Sequence, residues 1–103
     1  MADALLDCGI RRVALKLGGE GCLLKSTSER HLIPAVPGVR CVDTTGAGDT
    51  FAGAFIAAIL EGRSFADCGR YANAAASLCV ETVGATAGAW TRRDAELRLR
   101  AIP

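Results

Sequence analysis

A glycine-rich heptapeptide, Asp43-Thr44-Thr45-Gly46-Ala47-Gly48-Asp49, divides this chain into two kinds of sequence. Before it, short apolar runs are broken by glycine and proline; after it, apolar residues recur at helical spacing. Val13 to Leu17 is closed by Gly18, Gly19 and Gly21 ahead of a second apolar run, Cys22 to Leu24, which predicts a tight β-hairpin or closely spaced strand pair. Ser26 to Glu29 is a polar break, and His31 to Ile33 suits another short strand. Pro34 and Pro37 then forbid a long regular element, and Val39 to Val42 reads as extended chain leading into the loop.

Beyond the loop, Thr50 to Leu60 places Phe51, Phe55 and Ile59 at four-residue intervals, with Ile56 and Leu60 widening the apolar surface. That pattern predicts a helix buried over much of its circumference, ended by Gly62. Ser64 followed by Asp67 resembles a capping box, so a second helix runs from about Phe65 to Val80. Phe65, Cys68, Ala72, Ala75, Ala76 and Cys79 form its apolar face, while Asp67, Arg70, Asn73 and Ser77 are its polar positions. Thr82 to Gly88 reads as a glycine-containing loop. Thr91 and Asp94 then cap a last helix through Ala101. Short strands followed by packed helices, with no repeat or linker between them, predict one α/β unit spanning residues 1–103. Its expected core is Val13, Leu15, Leu17, Cys22, Leu24, Phe51, Phe55, Ile59, Phe65, Leu78 and Val80.

Composition sets limits on partners. The 103 residues carry 12 Lys plus Arg against 11 Asp plus Glu, so no general field steers the chain to nucleic acid or an anionic membrane. No apolar run approaches the roughly 18 residues of a bilayer span. The start Met-Ala-Asp lacks a secretion signal, and the expectation is a cytoplasmic protein. Five cysteines, Cys8, Cys22, Cys41, Cys68 and Cys79, form neither a CxxC pair nor a zinc pattern; buried free thiols in a reducing compartment are expected. His31 is the single histidine, which excludes a multi-histidine metal site. Trp90 reads as a packing anchor beside the last helix. A chain this short has little room for both a nucleotide pocket and a second substrate pocket.

The chemistry lies at the loop-to-helix junction. Small residues at Gly46, Ala47 and Gly48 allow backbone amides to converge on an anion, with favourable dipole interaction at the helix start. Asp49 beside them would orient an attacking hydroxyl or accept its proton. On the residues alone, a plain glycine turn with Asp49 as a helix cap is the commoner reading of such a sequence. No GxxxxGK[ST] pattern is present, and Gly18-Gly19-Glu20-Gly21 is not a dinucleotide fingerprint.

The run Val42-Asp43-Thr44-Thr45-Gly46-Ala47-Gly48-Asp49-Thr50-Phe51-Ala52-Gly53-Ala54-Phe55 resembles the C-terminal signature of the ribokinase-like, or pfkB-type, carbohydrate kinases. The likeness continues through Glu61-Gly62, Arg70 to Ala76 and the Gly84 region, and upstream into Leu17 to Cys22. It implies the C-terminal part of a ribokinase-like three-layer α/β/α fold. It also implies ATP-dependent phosphorylation of a hydroxyl on a sugar or related alcohol, with Asp49 as catalytic base and the Gly46, Ala47 and Gly48 amides as anion hole. Gly18, Gly19 and Gly21, with Ala72, Asn73 and Ala76, match the nucleotide side; turn glycines and a solvent-facing asparagine are the plain alternative. Asp43 and Thr45 match a monovalent-cation site, potassium or sodium, helped by carbonyl groups around Val80 to Gly84; alternatively Asp43 only anchors the loop.

The resemblance does not extend to the family's N-terminal sugar-binding region, its lid, or the upstream motif associated with magnesium. The chain by itself is therefore expected to turn over little or no sugar. A noncatalytic nucleotide-binding or protein-interaction domain is the alternative function. The implied partners are a small hydroxyl substrate in a complete kinase and a second copy or companion segment covering the sheet; neither nucleic acid nor membrane is implied.

Overall fold

Apolar residues on either side of Gly21 form the first two strands of the computed structural model, which describes residues 12–16, 21–39, 46–81 and 91–101. Strand β1 is Arg12–Lys16, β2 is Cys22–Ser26 and β3 is Arg30–Ile33. They form an antiparallel sheet in the order β1-β2-β3. The expected hairpin is present: Lys16 pairs with Cys22 and Arg12 with Ser26. The Ser26 to Glu29 break is a closed turn in which the Ser26 amide donates to the Glu29 carbonyl at 2.8 Å. The Ser26 hydroxyl oxygen accepts from the Ser28 and Glu29 amides. Because side chains alternate across a strand, Cys22, Leu24 and Ile33 share one face and are buried together. Val13 is buried on the other face.

Gly21 shows why a glycine ends the β1-β2 connection. Its φ is +102°, and a Cβ there would lie 1.9 Å from the Ile33 carbonyl oxygen. The chain leaving β3 occupies the space a side chain would need.

Contacts divide the chain into two compact units, Met1–Ala35 and Val36–Pro103. The second contains helices α1 (Ala47–Leu60), α2 (Phe65–Val80) and α3 (Arg92–Ala101). Helix α1 ends as the sequence predicts: Gly62 adopts φ +82°, its amide donates to Ile59, and the Arg63 amide reaches back to the Ala58 carbonyl. This Schellman closure satisfies the last carbonyls and turns the chain back toward α2. Ser64 caps α2 by accepting from the Asp67 amide at 3.2 Å. At α3 the Thr91 amide donates to the Asp94 carboxylate at 2.8 Å, while the Thr91 hydroxyl oxygen accepts from the Asp94 amide. Both anticipated caps are in place.

Helices α1 and α2 pack through aromatic and small residues. Phe51 stacks on Phe55 with centroids 6.1 Å apart, and Phe55 meets Phe65 edge-on at 6.0 Å. The buried stripe of α1 is Ala47, Phe51, Ala54 and Ala58, which corrects the expected Phe51, Phe55, Ile59 stripe. Steps of four residues advance 400° and drift about 40° per step around a helix, so Phe55 is half-buried and Ile59 is exposed. Leu15, Leu78 and Val80 are likewise half-buried instead of core, and Ala76 on the apolar face of α2 is half-buried too. Ser77 reverses its expected polar, outward role: it is buried, donates to the Ala74 carbonyl at 2.6 Å and accepts from Arg98 of α3 at 3.1 Å. Leu17, Trp90, Cys8 and Cys41, the Val39 to Val42 segment after Val39, and the whole of Thr82 to Gly88 lie outside the described residues. Cys22, Cys68 and Cys79 are buried free thiols, as expected.

Only Ala95 of α3 is buried, so charge does much of the docking. Arg63, in the α1-α2 turn, bonds Glu96 of α3 and stacks over the Tyr71 ring at 4.6 Å. Arg92 bonds Glu61 at 2.7 Å, and Arg98 pairs with Glu81 at the end of α2.

Candidate functional site

Gly46 decides the geometry of the predicted anion site. It is the N-cap of α1 in the left-handed region, with φ 78° and ψ −2°, and no side chain caps the helix there. The first intrahelical donor is the Thr50 amide, which reaches the Gly46 carbonyl at 2.9 Å. The amides of Ala47, Gly48 and Asp49 therefore precede the helix's own ladder and face away from its body. Helix α1 starts at Ala47, three residues before the expected Thr50, so Ala47, Gly48 and Asp49 are its first turn and not part of a preceding loop.

Asp49 is exposed and is the acidic residue of that turn. A carboxylate there sits at the favourable, positive end of the macrodipole. Gly48 is exposed and Gly46 half-buried, whereas Ala47 directs its methyl inward. Three amides and one carboxylate on an accessible first turn can receive an anion and a proton, respectively.

Ala72, Asn73 and Ala76 lie on α2. Ala72 has no exposed surface and belongs to the helix packing; Asn73 and Ala76 are half-buried. Gly21 belongs to the first unit, where it meets a steric demand of the sheet. Gly18, Gly19, Asp43 and Thr45 lie outside the described residues. Among the described residues, no three His, Cys, Asp or Glu side chains gather in a metal-holding group, and no helix is long and apolar enough to cross a membrane. The residues that the sequence did not single out are Arg63, Glu81, Glu96 and Arg98. Pairing across 17 to 33 positions leaves no local pattern to read.

The chain is similar to known proteins over most of its length. Residues 1–92 match the model of the pfkB family of carbohydrate kinases. Ribokinase of Arabidopsis thaliana is 47% identical over 89 residues, covering 82% of this chain and 24% of that protein. Ribokinase of Bacillus subtilis is 47% identical over 79 residues, covering 77% and 27%. The chain thus spans about a quarter of the length of these relatives.

Among solved structures, Arabidopsis thaliana ribokinase complexed with ribose and ATP superposes with a TM-score of 0.86 at 39% identity, covering 95% of this chain and 33% of that one. An Escherichia coli chain assigned as a ribokinase II, complexed with ATP and Mg2+, gives 0.90 at 32% identity, covering 96% and 32%. Phosphofructokinase-2 of Escherichia coli, in complex with potassium, gives 0.85 at 25% identity, covering 97% and 32%.

Proposed function

Since this chain belongs to the pfkB family of carbohydrate kinases and has the sheet and packed helices of a ribokinase-like α/β/α architecture, we propose that it supplies the C-terminal catalytic end of an ATP-dependent sugar or alcohol kinase. The observation that carries this is the left-handed Gly46 start of α1, which sets three amides outside the helical ladder in the same turn as an exposed Asp49.

The reaction follows from those groups. The Asp49 carboxylate accepts the proton of the acceptor hydroxyl as that oxygen attacks the γ-phosphorus. The bond from phosphorus to the β,γ-bridging oxygen breaks, and ADP leaves with the electron pair. The amides of the Gly46-Ala47-Gly48 segment, of which those of Ala47 and Gly48 are outside the ladder of α1 together with that of Asp49, stabilise the charge that spreads over the phosphoryl oxygens, and they carry no proton acidic enough to compete with the hydroxyl. The resemblance assigns Gly18, Gly19 and Gly21, and Ala72, Asn73 and Ala76 of α2, to the nucleotide; of the α2 residues, Asn73 and Ala76 keep exposed surface and Ala72 has none.

A magnesium ion, when bound, would neutralise phosphate charge. The described residues form no cluster to hold one, and here the ion would rest on the nucleotide and on groups beyond Asp49. Asp43 and Thr45 are the candidates for a monovalent cation, potassium in preference because a related kinase binds it.

Positioning limits what the chain does by itself. Phosphoryl transfer needs the acceptor held near the γ-phosphate and competing water kept out. An anion-binding helix start retains weak nucleotide affinity without meeting those needs, so the 103-residue chain alone binds ATP weakly and turns over little sugar. The test measures ATP binding and sugar-dependent ADP release on the chain alone and joined to the upstream two-thirds of Arabidopsis ribokinase. Turnover is expected in the joined protein, falling about 10²–10⁴-fold in Asp49→Asn with nucleotide affinity retained. Equal turnover by Asp49→Asn refutes the base assignment, and full turnover by the short chain refutes its dependence on additional polypeptide. ATP binding that persists with no turnover in the joined protein favours the noncatalytic alternative.

A further inference from the structure

Helix α3 is held differently from the other two helices. Six of its ten residues are charged, and Ala95 is its one buried side chain. Ion pairs tie it down from its first residue to its last turn: Arg92 to Glu61 at 2.7 Å, Glu96 to Arg63, and Arg98 to Glu81. Arg98 also donates to the Ser77 hydroxyl oxygen at 3.1 Å. Glu61 and Arg63 lie in the turn between α1 and α2, and Glu81 caps the end of α2. The ion pairs therefore reach the ends of the α1-α2 pair and not its interface. Helix α1 has one charged residue, Asp49, and meets α2 through apolar side chains, Phe55 lying edge-on to Phe65. Salt tells the two kinds of contact apart, because screening weakens ion pairs and leaves apolar packing in place.

We propose that α3 is an ionic latch, which releases from α1 and α2 as one unit when salt screens its three ion pairs. Ten residues are fewer than an isolated helix needs to persist in water, so α3 unwinds on release. The opening is local, and the α1-α2 pair stays folded on its own apolar contacts. Release uncovers Tyr71, the single tyrosine of the chain and 4% exposed, and takes Arg98 from the Ser77 hydroxyl. Arg63 lies over the Tyr71 ring at 4.6 Å, and the charges of Arg92 and Glu96 on α3 act on its hydroxyl. At the upper end of the range for exposed pairs, each ion pair raises the docking constant about fivefold, and three together raise it on the order of 10²-fold. The latch does not depend on phosphoryl transfer.

The experiment follows amide hydrogen exchange in the 103-residue chain by mass spectrometry at pH 7, in 0.05 and 1 M NaCl. Amides of Arg92–Ala101 should exchange about 10–100-fold faster at 1 M, where the Debye length is about 3 Å, while those of α1 and α2 change less than about threefold. Acetylation of Tyr71 by N-acetylimidazole should accelerate in step with α3. Arg98→Met should speed α3 exchange about fivefold at low salt and shrink its response to salt. Leu97→Gln, at a leucine 53% exposed on the same helix, should alter neither. The salt series on the parent chain needs no variant to fold. Equal acceleration of all three helices would show that α3 opens only when the whole unit unfolds, and would overturn the proposal. So would α3 exchange that is fast but indifferent to salt, or a Tyr71 whose acetylation does not follow α3.

Discussion

Replacing Arg63 with methionine keeps most of the aliphatic stem and removes the charge that ties three helices together. In the folded chain the guanidinium donates to Glu96 of α3 and lies over Tyr71 of α2 at 4.6 Å; its contact with Glu61 is 3.4 Å long and adds little, because Glu61 is already held by Arg92 at 2.7 Å. The Arg63 and Glu96 side chains are only 21% and 26% exposed, so the pair belongs at the upper end of the range for surface ion pairs, about 1 kcal/mol. Stacking on Tyr71 contributes about 0.5–1 kcal/mol more. Arg63→Met is therefore expected to cost about 2 kcal/mol and to lower Tm by about 8–16 °C in a domain of this size. The assay is urea and thermal unfolding followed by circular dichroism for the parent, Arg63→Met, Glu96→Gln and the double variant, at 0.05 and 1 M NaCl. The cycle should give a coupling of about 1 kcal/mol at low salt, shrinking at 1 M as the Debye length falls to about 3 Å. Additivity within about 0.3 kcal/mol, or a single-variant loss under about 0.5 kcal/mol, would show that α3 is docked by something other than this charge.

Gly21→Ala should be the most damaging conservative change in the first unit. Its Cβ would meet the Ile33 carbonyl oxygen and the Ala35 amide at a positive φ, at a cost on the order of 3 kcal/mol or more, and a melting temperature within a few degrees of the parent would refute that. Hydrogen bonds from the Thr91 amide, and secondarily the Thr91 hydroxyl, hold the Asp94 carboxyl below the usual carboxylate range. With the folded value depressed, the α3 cap is fully formed above the unfolded pKa of about 4 and is lost as pH falls through the folded one; amide exchange across Arg92–Ala101 should accelerate there in the parent but show no such step in Asp94→Asn. Burial pushes the Cys22 thiol up to about 11, so peptide mapping after alkylation at pH 8 should find Cys22 unmodified until the chain unfolds; rapid labelling of the folded chain would contradict its burial.

Much of the architecture was legible because its causes are local. Glycines between two apolar runs specify a hairpin, Ser64 before Asp67 and Thr91 before Asp94 specify helix starts, and Gly62 specifies a helix end. Each depends on atoms within a few residues, and the second helix takes the predicted bounds, Phe65–Val80. The anion-site segment was legible as a glycine-rich junction, but its placement within the first turn of α1 depends on the left-handed conformation of Gly46. Sequence spacing did not reveal that conformation.

Tertiary structure decided which sides of those helices are covered. The buried stripe of α1 runs through Ala54 and Ala58 in place of Phe55 and Ile59, while Phe55, half-buried, meets the Phe65 ring of α2 edge-on. Ser77 became an interior residue once Arg98 arrived from α3 to satisfy its hydroxyl. Glu96 became the partner of Arg63 only when the chain folded back across 33 positions. Helix identity follows from short-range periodicity and capping, whereas burial and charge pairing follow from which distant surfaces meet.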